Sequence, residues 1–135
     1  MIPSNVQSFA QAYAKAWCSD KPERVAAFFA PDGSLKVNDG APAVGRAAIA
    51  DVARGFMTAF PDMIVSFDRL ERNGERVHFH WTLTGTNTGP EGTGNFVRVG
   101  GYEDWRFGAD GLVAQSLGHF DAADYERQLQ QPKRA

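Results

Sequence analysis

The hydrophobic period changes once along this chain, and that change limits the fold more than any single motif does. Up to Phe60 the apolar residues recur every three or four positions; from Met63 onward they recur at every second position. A 3.6-residue period makes helices that bury one stripe, and a period of two makes strands that bury one face. Helices first and a strand meander behind them specify an α+β chain with an antiparallel sheet. Strands that are apolar on one side need the helices to cover that side, and the sheet to curl around them.

The helical half divides in three. Ser4 or Asn5 caps a helix whose apolar side is Val6, Phe9, Ala10, Tyr13, Ala14 and Trp17. "SDKPE" interrupts it, and Pro22 suits the first turn of a short second helix carrying Val25, Phe28 and Phe29. "PDG" at 31–33 is expected to end that helix, leaving "SLKV" as a short strand. A third helix follows Gly45 with a stripe of Ile49, Val52, Ala53, Phe56 and Phe60, and Pro61 stops it. Next come "MIVSFDRLE", a tight turn at "RNGE", and "RVHFHWTLTG", which alternates Val77, Phe79, Trp81 and Leu83 against His78, His80, Thr82 and Thr84. "TNTGPEGTG" reads as a glycine-rich hairpin loop at the pocket mouth. It lacks the lysine of a phosphate loop and does not open a helix. "NFVRVGGYEDWRF", "GADG" and "LVAQSLGHF" complete the meander, and Asp121 caps a closing helix. Gly100 and Gly101 are expected to form a bend or bulge.

With 135 residues the chain suits one domain, 1–135. A formal net charge of −2 gives no electrostatic case for nucleic acid or an anionic membrane. The basic residues are scattered, apart from Lys133 and Arg134 in what reads as a frayed tail. No apolar run approaches the ~20 residues of a membrane span. The N-terminus has neither the basic start nor the apolar stretch of a secretory signal. Cys18, the single cysteine, permits no internal disulfide and has no basic neighbour to activate it, and a cytoplasmic location is the expectation.

One residue breaks the apolar pattern. Alternation through "GGYEDWRF" puts Val97, Val99, Gly101, Glu103, Trp105 and Phe107 on one face. Desolvation by Val99, Trp105 and Phe120 should raise the Glu103 pKa. A neutral Glu103 would stabilise an enolate, and an ionised one would take a proton. The plainer alternative is a carboxylate bridged to a tyrosine, a backbone group or a buried water. Tyr13 shares its helix face with Phe9 and Trp17 and so points at the sheet. Its phenol is either an oxyanion donor beside Glu103 or a core tyrosine with its hydroxyl satisfied.

Other groups suggest less chemistry. His78 and His80 lie about 7 Å apart on the face opposite Phe79 and Trp81. His119 points the same way if Ser116, Gly118 and Phe120 point in. With no Cys, Asp or Glu at ligand spacing beside them, no metal is expected. Asp62 after Pro61 reads as a turn residue, and no Ser-His-Asp arrangement is present.

In their order and spacing, "FMTAFPDM", "WTLTGTNTG" and "TGNFVRVGGYEDWRFGADGLVAQSLGHFD", with "FFAPDGSL" and "VGRAAI" before them, resemble the SnoaL-like polyketide cyclases. These belong to the nuclear transport factor 2-like superfamily, and the resemblance covers nearly the whole chain. It implies a cone: a curved antiparallel sheet wrapped around three N-terminal helices, with an apolar pocket at the open end. Such folds include steroid isomerases, epoxide hydrolases, cyclases, dehydratases and non-enzymatic binding or assembly domains, so the fold leaves the function open. Glu103 and Tyr13 match the positions of a steroid isomerase's acid and catalytic tyrosine. The cyclases' base, an aspartate on the last strand with a histidine two residues before it, falls on Gly118 and Ser116. The isomerase's base falls near Lys36, Val37 or Asn38, with Asp39 close by but out of register.

The implied pocket is lined by Tyr13, Trp17, Phe29, Phe56, Phe60, Trp81, Val99, Glu103, Trp105, Ser116, Gly118 and Phe120. The implied function is a cofactor-free cyclase or isomerase that moves a proton next to a carbonyl. Its substrate would be a polyketide-, terpenoid- or steroid-like molecule, apolar with one or two oxygens, with Glu103 as acid or base and Tyr13 as oxyanion donor. The alternative is a non-catalytic ligand-binding or assembly module. A homodimer is expected through the outer sheet face, where Asp104, Arg106 and Leu117 join the histidines.

Overall fold

A computed structural model describes residues 2–130; Lys133 and Arg134 lie outside the described residues. The helical half gives α1 (Val6–Trp17), α2 (Pro22–Ala26) and α3 (Arg46–Ala59), with strands β1 (Phe29–Val37) and β2 (Ala43–Val44) between the last two. The second half gives β3 (Ile64–Asn73), β4 (Arg76–Thr86), β5 (Phe96–Phe107), β6 (Val113–Phe120) and a closing helix α4 (Ala122–Gln130). Six strands form one curved, unclosed sheet in the order β2-β1-β6-β5-β4-β3. The fold is α+β, as the change of period requires.

Local chemistry explains most boundaries. Asn5 stands at the N-cap of α1, Pro22 opens α2, and Gly45 precedes α3 at φ 90°, a left-handed value that glycine adopts without strain. The β3–β4 hairpin turns at Gly74, φ 63°. Asp121 Oδ1 accepts the Asp124 N–H at 3.0 Å and starts α4. Among the described residues no helix is long and apolar enough to cross a bilayer.

Three expectations change. "PDG" does not end a helix. It lies inside β1, whose pairing with β6 jumps between Phe29 and Ser34. A Cβ on Gly33 would meet Val113 O at 2.8 Å, so the glycine lets β1 press against β6 at the jump. The sheet is mixed: β1 runs parallel to β6, and every other pairing is antiparallel. Finally, the β4–β5 ladder passes through Gly100 and Gly101 without a register shift. The shifts fall between Phe67 and Arg69 and between Arg106 and Phe107.

Gly101 serves close approach instead. A Cβ there would meet His119 O at 2.3 Å, Trp81 Cζ2 at 2.8 Å and Phe120 Cβ at 2.9 Å. The bare backbone leaves room for the Trp81 indole against the inner face.

The core lies between the helices and that face. The Tyr13 ring makes edge contacts with Trp17, Phe28, Phe29, Phe79 and Trp105 at centroid distances of 5.2 to 6.3 Å. Phe79 and Trp105 stack at 4.8 Å. Each such pair adds about 0.5–1.5 kcal/mol beyond the area it buries.

Gly101→Ala is expected to destabilise the fold by about 1–3 kcal/mol, the usual cost of overpacking. Gly100→Ala, whose Cβ meets nothing closer than Trp81 O at 3.5 Å, should stay within roughly 0.5 kcal/mol of the parent. Urea denaturation of both variants checks this.

Candidate functional site

Strand alternation carries Glu103 to the inner face, where it is 7% exposed. Three elements supply its partners. Ser116 from β6 donates its hydroxyl to Oε1 at 2.7 Å, and Trp105 from β5 donates Nε1–H to the same oxygen at 3.0 Å. Tyr13 from α1 shares its proton between Oε1 at 3.0 Å and Oε2 at 3.2 Å. One carboxylate oxygen is thus crowded with donors, and the other has lone pairs to spare.

Burial raises the Glu103 pKa, and the donations from Ser116, Trp105 and Tyr13 pull it down without cancelling the rise. Tyr13 is pushed well above its usual value by burial and then by the neighbouring Glu103 charge. The phenol therefore keeps its proton, and that proton points at Glu103.

In front of the carboxylate lies a cavity of about 60 Å³. Its wall includes Trp17 and Phe56 from the helices, Trp81 and Val99 from β4 and β5, and Gly118 and Phe120 at the end of β6, all of them expected there. Glu103 is the one carboxylate in the wall. Tyr13, Trp105 and Ser116 stand behind Glu103 as its donors and not in the wall. Phe29 packs on the Tyr13 ring, and Phe60 packs on Tyr125 at 6.3 Å.

Six wall residues went unanticipated: Leu35, Val37, Val65, Phe79, Leu83 and Tyr125. Phe79 and Leu83 share the face of Trp81, so the alternation of β4 already pointed to them. Tyr125 comes from α4, whose docking no local pattern shows. Among the described residues Trp81 Nε1 is the one buried side-chain nitrogen or oxygen with no hydrogen-bond partner.

The neighbouring groups fall into place around this centre. Of Lys36, Val37 and Asn38, Val37 is the one in the cavity wall, beside Leu35 of the same strand. Asn38, at φ 50°, accepts the Phe120 N–H on Oδ1 at 2.9 Å, and Asp39 is exposed. Gly118 lies beside Glu103; a Cβ there would stand 3.9 Å from Glu103 Cγ. The glycine-rich loop is not in the cavity wall. Gly89 N–H and Asn87 Nδ2 both donate to Ala59 O, which ties the loop to the end of α3. A Cβ on Gly89 would meet Thr58 O at 2.0 Å, so only glycine permits that contact. Asp62 accepts the Thr86 N–H at 2.7 Å, which lowers its pKa. Cys18 Sγ accepts the Val65 N–H at 3.2 Å.

The outer face holds His78, His80 and His119, as alternation requires. It also holds a carboxylate at ligand distance, contrary to expectation: Glu71 of β3 reaches His80 across the strands. The register shift between Phe67 and Arg69 explains this. An unbroken period of two would put Glu71 on the side of Val65 and Phe67. The extra residue, Asp68, reverses the faces beyond it.

A family model described as a SnoaL-like domain matches residues 10–116. None of the curated proteins matches the chain in sequence. Several solved structures share its fold. One is a protein of ketosteroid isomerase-like fold from Catenulispora acidiphila, solved in complex with trimethylamine. It is 20% identical with a TM-score of 0.79, over 98% of this chain and 96% of that one. A second is a provisionally named SnoaL-like polyketide cyclase from Jannaschia sp. CCS1, 15% identical, TM-score 0.75, over 98% and 99%. A third is a provisionally named polyketide cyclase from Xanthomonas campestris, 22% identical, TM-score 0.78, over 91% and 95%.

The raised pKa of Glu103 has a consequence for stability. Between the unfolded value of 4.5 and the higher folded value, the folded state binds more protons than the unfolded state. Stability contributed by Glu103 is therefore complete below pH 4.5 and is lost as pH rises through the folded pKa. Glu103→Gln should remove that decline, so its stability relative to the parent should improve from pH 4 to pH 8 in urea titrations. Ser116→Ala, which strips the shortest donor from the buried carboxylate, should cost about 1–3 kcal/mol at pH 7.

Proposed function

The chain belongs to the SnoaL-like domain family, and on that premise we propose that it is a small-molecule-pocket protein in which Glu103 moves a proton next to a carbonyl, without a cofactor, as a cyclase or isomerase does. The observation that carries this reading is the unequal loading of the Glu103 oxygens: Oε1 takes three donors and Oε2 only a share of one. The crowded oxygen fixes the carboxylate in place. The other accepts a proton from a bound carbon acid. A carboxylate whose pKa has risen toward neutrality is the stronger base, so desolvation serves the reaction.

In that reaction the C–H bond beside the carbonyl breaks and an O–H bond forms on Oε2. The electron pair moves onto the carbonyl oxygen. Trp81 lines the cavity and its Nε1–H is unpartnered; a turn of the indole would bring that N–H to the oxyanion as its donor. Tyr13, whose proton is committed to Glu103, acts instead as a positioning group. Return of the proton to another carbon completes an isomerisation; attack of the enolate on a second carbonyl forms a C–C bond and an alkoxide, which takes the proton back from Oε2 and completes a cyclisation. The cavity of about 60 Å³ favours a ligand of one ring. Ligand pockets commonly measure about 300–1,000 Å³, so a polyketide-, terpenoid- or steroid-like guest requires the wall to open further.

A second reading, a binding module without turnover, is supported by Gly118 and by the stretch Lys36, Val37 and Asn38, onto which the resemblance puts the bases of the cyclases and of the steroid isomerase and which holds no carboxylate. An aromatic wall with a single carboxylate suits a small alkylammonium ion, and the Catenulispora acidiphila protein was solved with trimethylamine.

The two readings separate with cyclohex-3-enone in D₂O. The first expects isomerisation to the conjugated enone faster than in buffer, followed by absorbance and NMR. Glu103→Gln should lose about 100-fold or more of that rate, and Trp81→Phe about 10²-fold. Binding of the enone or of trimethylammonium with no gain in rate would select the second reading.

A further inference from the structure

The outer face carries a cluster that the pocket does not use. In the β3–β4 ladder Glu71 pairs with His78 and Arg69 with His80. His78 and His80, two apart, project to the same side, and the bulge at Asp68 turns Glu71 to that side as well. One ligand atom from each of the three lies within 4.8 Å of the other two, and His80 Nε2 is 2.5 Å from Glu71 Oε1.

We propose that Glu71, His78 and His80 form a site for one divalent transition-metal ion of the Zn²⁺, Ni²⁺ or Cu²⁺ type, with water in the remaining positions. Two imidazoles and one carboxylate suit ions of intermediate softness. A single carboxylate with no carbonyl cluster is a poor cage for Ca²⁺ or Mg²⁺. Metal–ligand distances of about 2.0–2.2 Å set neighbouring ligand atoms about 3.0–3.5 Å apart, so a pair near 4.8 Å must close in while Glu71 and His80 give up their 2.5 Å contact and move apart, which side-chain rotation supplies while the strands stay fixed.

Two features prepare the site. The Tyr102 ring packs against His78 at 4.9 Å and His80 at 5.5 Å and limits how far either imidazole can turn. Asp104, gripped by Arg76 Nε at 2.7 Å, places Oδ1 3.5 Å from His78 Nε2 and adds negative charge beside the imidazole, where it would orient the ring if Nδ1 holds the ion. The opposing group is Arg69, which pairs with Glu71 at 3.3 Å. Its side chain is 63% exposed, so an incoming ion displaces a contact of little strength. The histidine side chains are 25% and 17% exposed, which leaves the open coordination positions facing solvent. All three ligands come from one chain.

Calorimetric titration of the untagged protein with Zn²⁺ and with Ni²⁺ tests the site, with circular dichroism confirming that each variant is folded. One ion per chain is expected. His80→Ala and Glu71→Gln should each weaken binding by about 10–100-fold. His80→Gln repeats the test with a side chain of similar size. His119→Ala should leave binding unchanged, and excess Mg²⁺ should not compete. In NMR spectra the His78 and His80 ring signals should shift or broaden on adding Ni²⁺ while Glu71→Gln leaves enone isomerisation unaltered. Absence of saturable binding, equal affinity in the His80 and Glu71 variants, or an equal loss in His119→Ala would overturn the proposal.

Discussion

Keeping a carboxylate inside an apolar shell is the constraint on which the rest of this structure turns. Removing an ion from water costs several kcal/mol. Hydrogen bonds to a charged group return about 1.5–3 kcal/mol each, and Glu103 receives them from Ser116, Trp105 and Tyr13. Gain and cost are of similar size, so the group is not there for net stability. Its presence does impose order. A slip of one residue in β5 would turn Glu103 and Trp105 together to the outer face and strand the donors Ser116 and Tyr13 on other elements. Tyr13 pins α1 to the middle of the sheet across 90 positions of sequence.

The aromatic packing behind this centre is tight, and the packing in front of it is not. Around Tyr13 the rings meet edge to face, and Phe79 stacks on Trp105, which holds the donors at fixed angles. Beyond Glu103 the shell opens, because Gly118 contributes no side chain and Gly101 lets the Trp81 indole lie close to the backbone. Rigid support and open space are thus divided between the two sides of one carboxylate.

Much of this was legible in the sequence because it depends on which face a residue occupies. The stripe from Val6 to Trp17 placed Tyr13, and alternation in "GGYEDWRF" placed Glu103, without knowledge of any neighbour. What stayed hidden depends on which strand lies next to which. The parallel pairing of β1 with β6 joins residues some eighty positions apart, such as Val37 and Gly118, and leaves no local pattern. Tyr125 enters the cavity wall only because α4 folds back. Glu71 was missed because one extra residue inverts a strand, and Leu70, facing inward opposite Phe79 three places after Phe67, is the trace it leaves.

That inversion has a further effect. β3 is the last strand of the sheet, ten residues long; Cys18 takes up the N–H and C=O of Val65, and the rest of its free side could template a passing chain. The kink interrupts the straight run a newcomer would need for zippering, and Asp68, Arg69, Glu71 and Arg72 ring it with charge of both signs. At the opposite margin β2 offers just two residues. Both rims of an open sheet are therefore poor templates for edge-to-edge growth, which lets the molecule keep an unclosed mouth without inviting amyloid-like stacking.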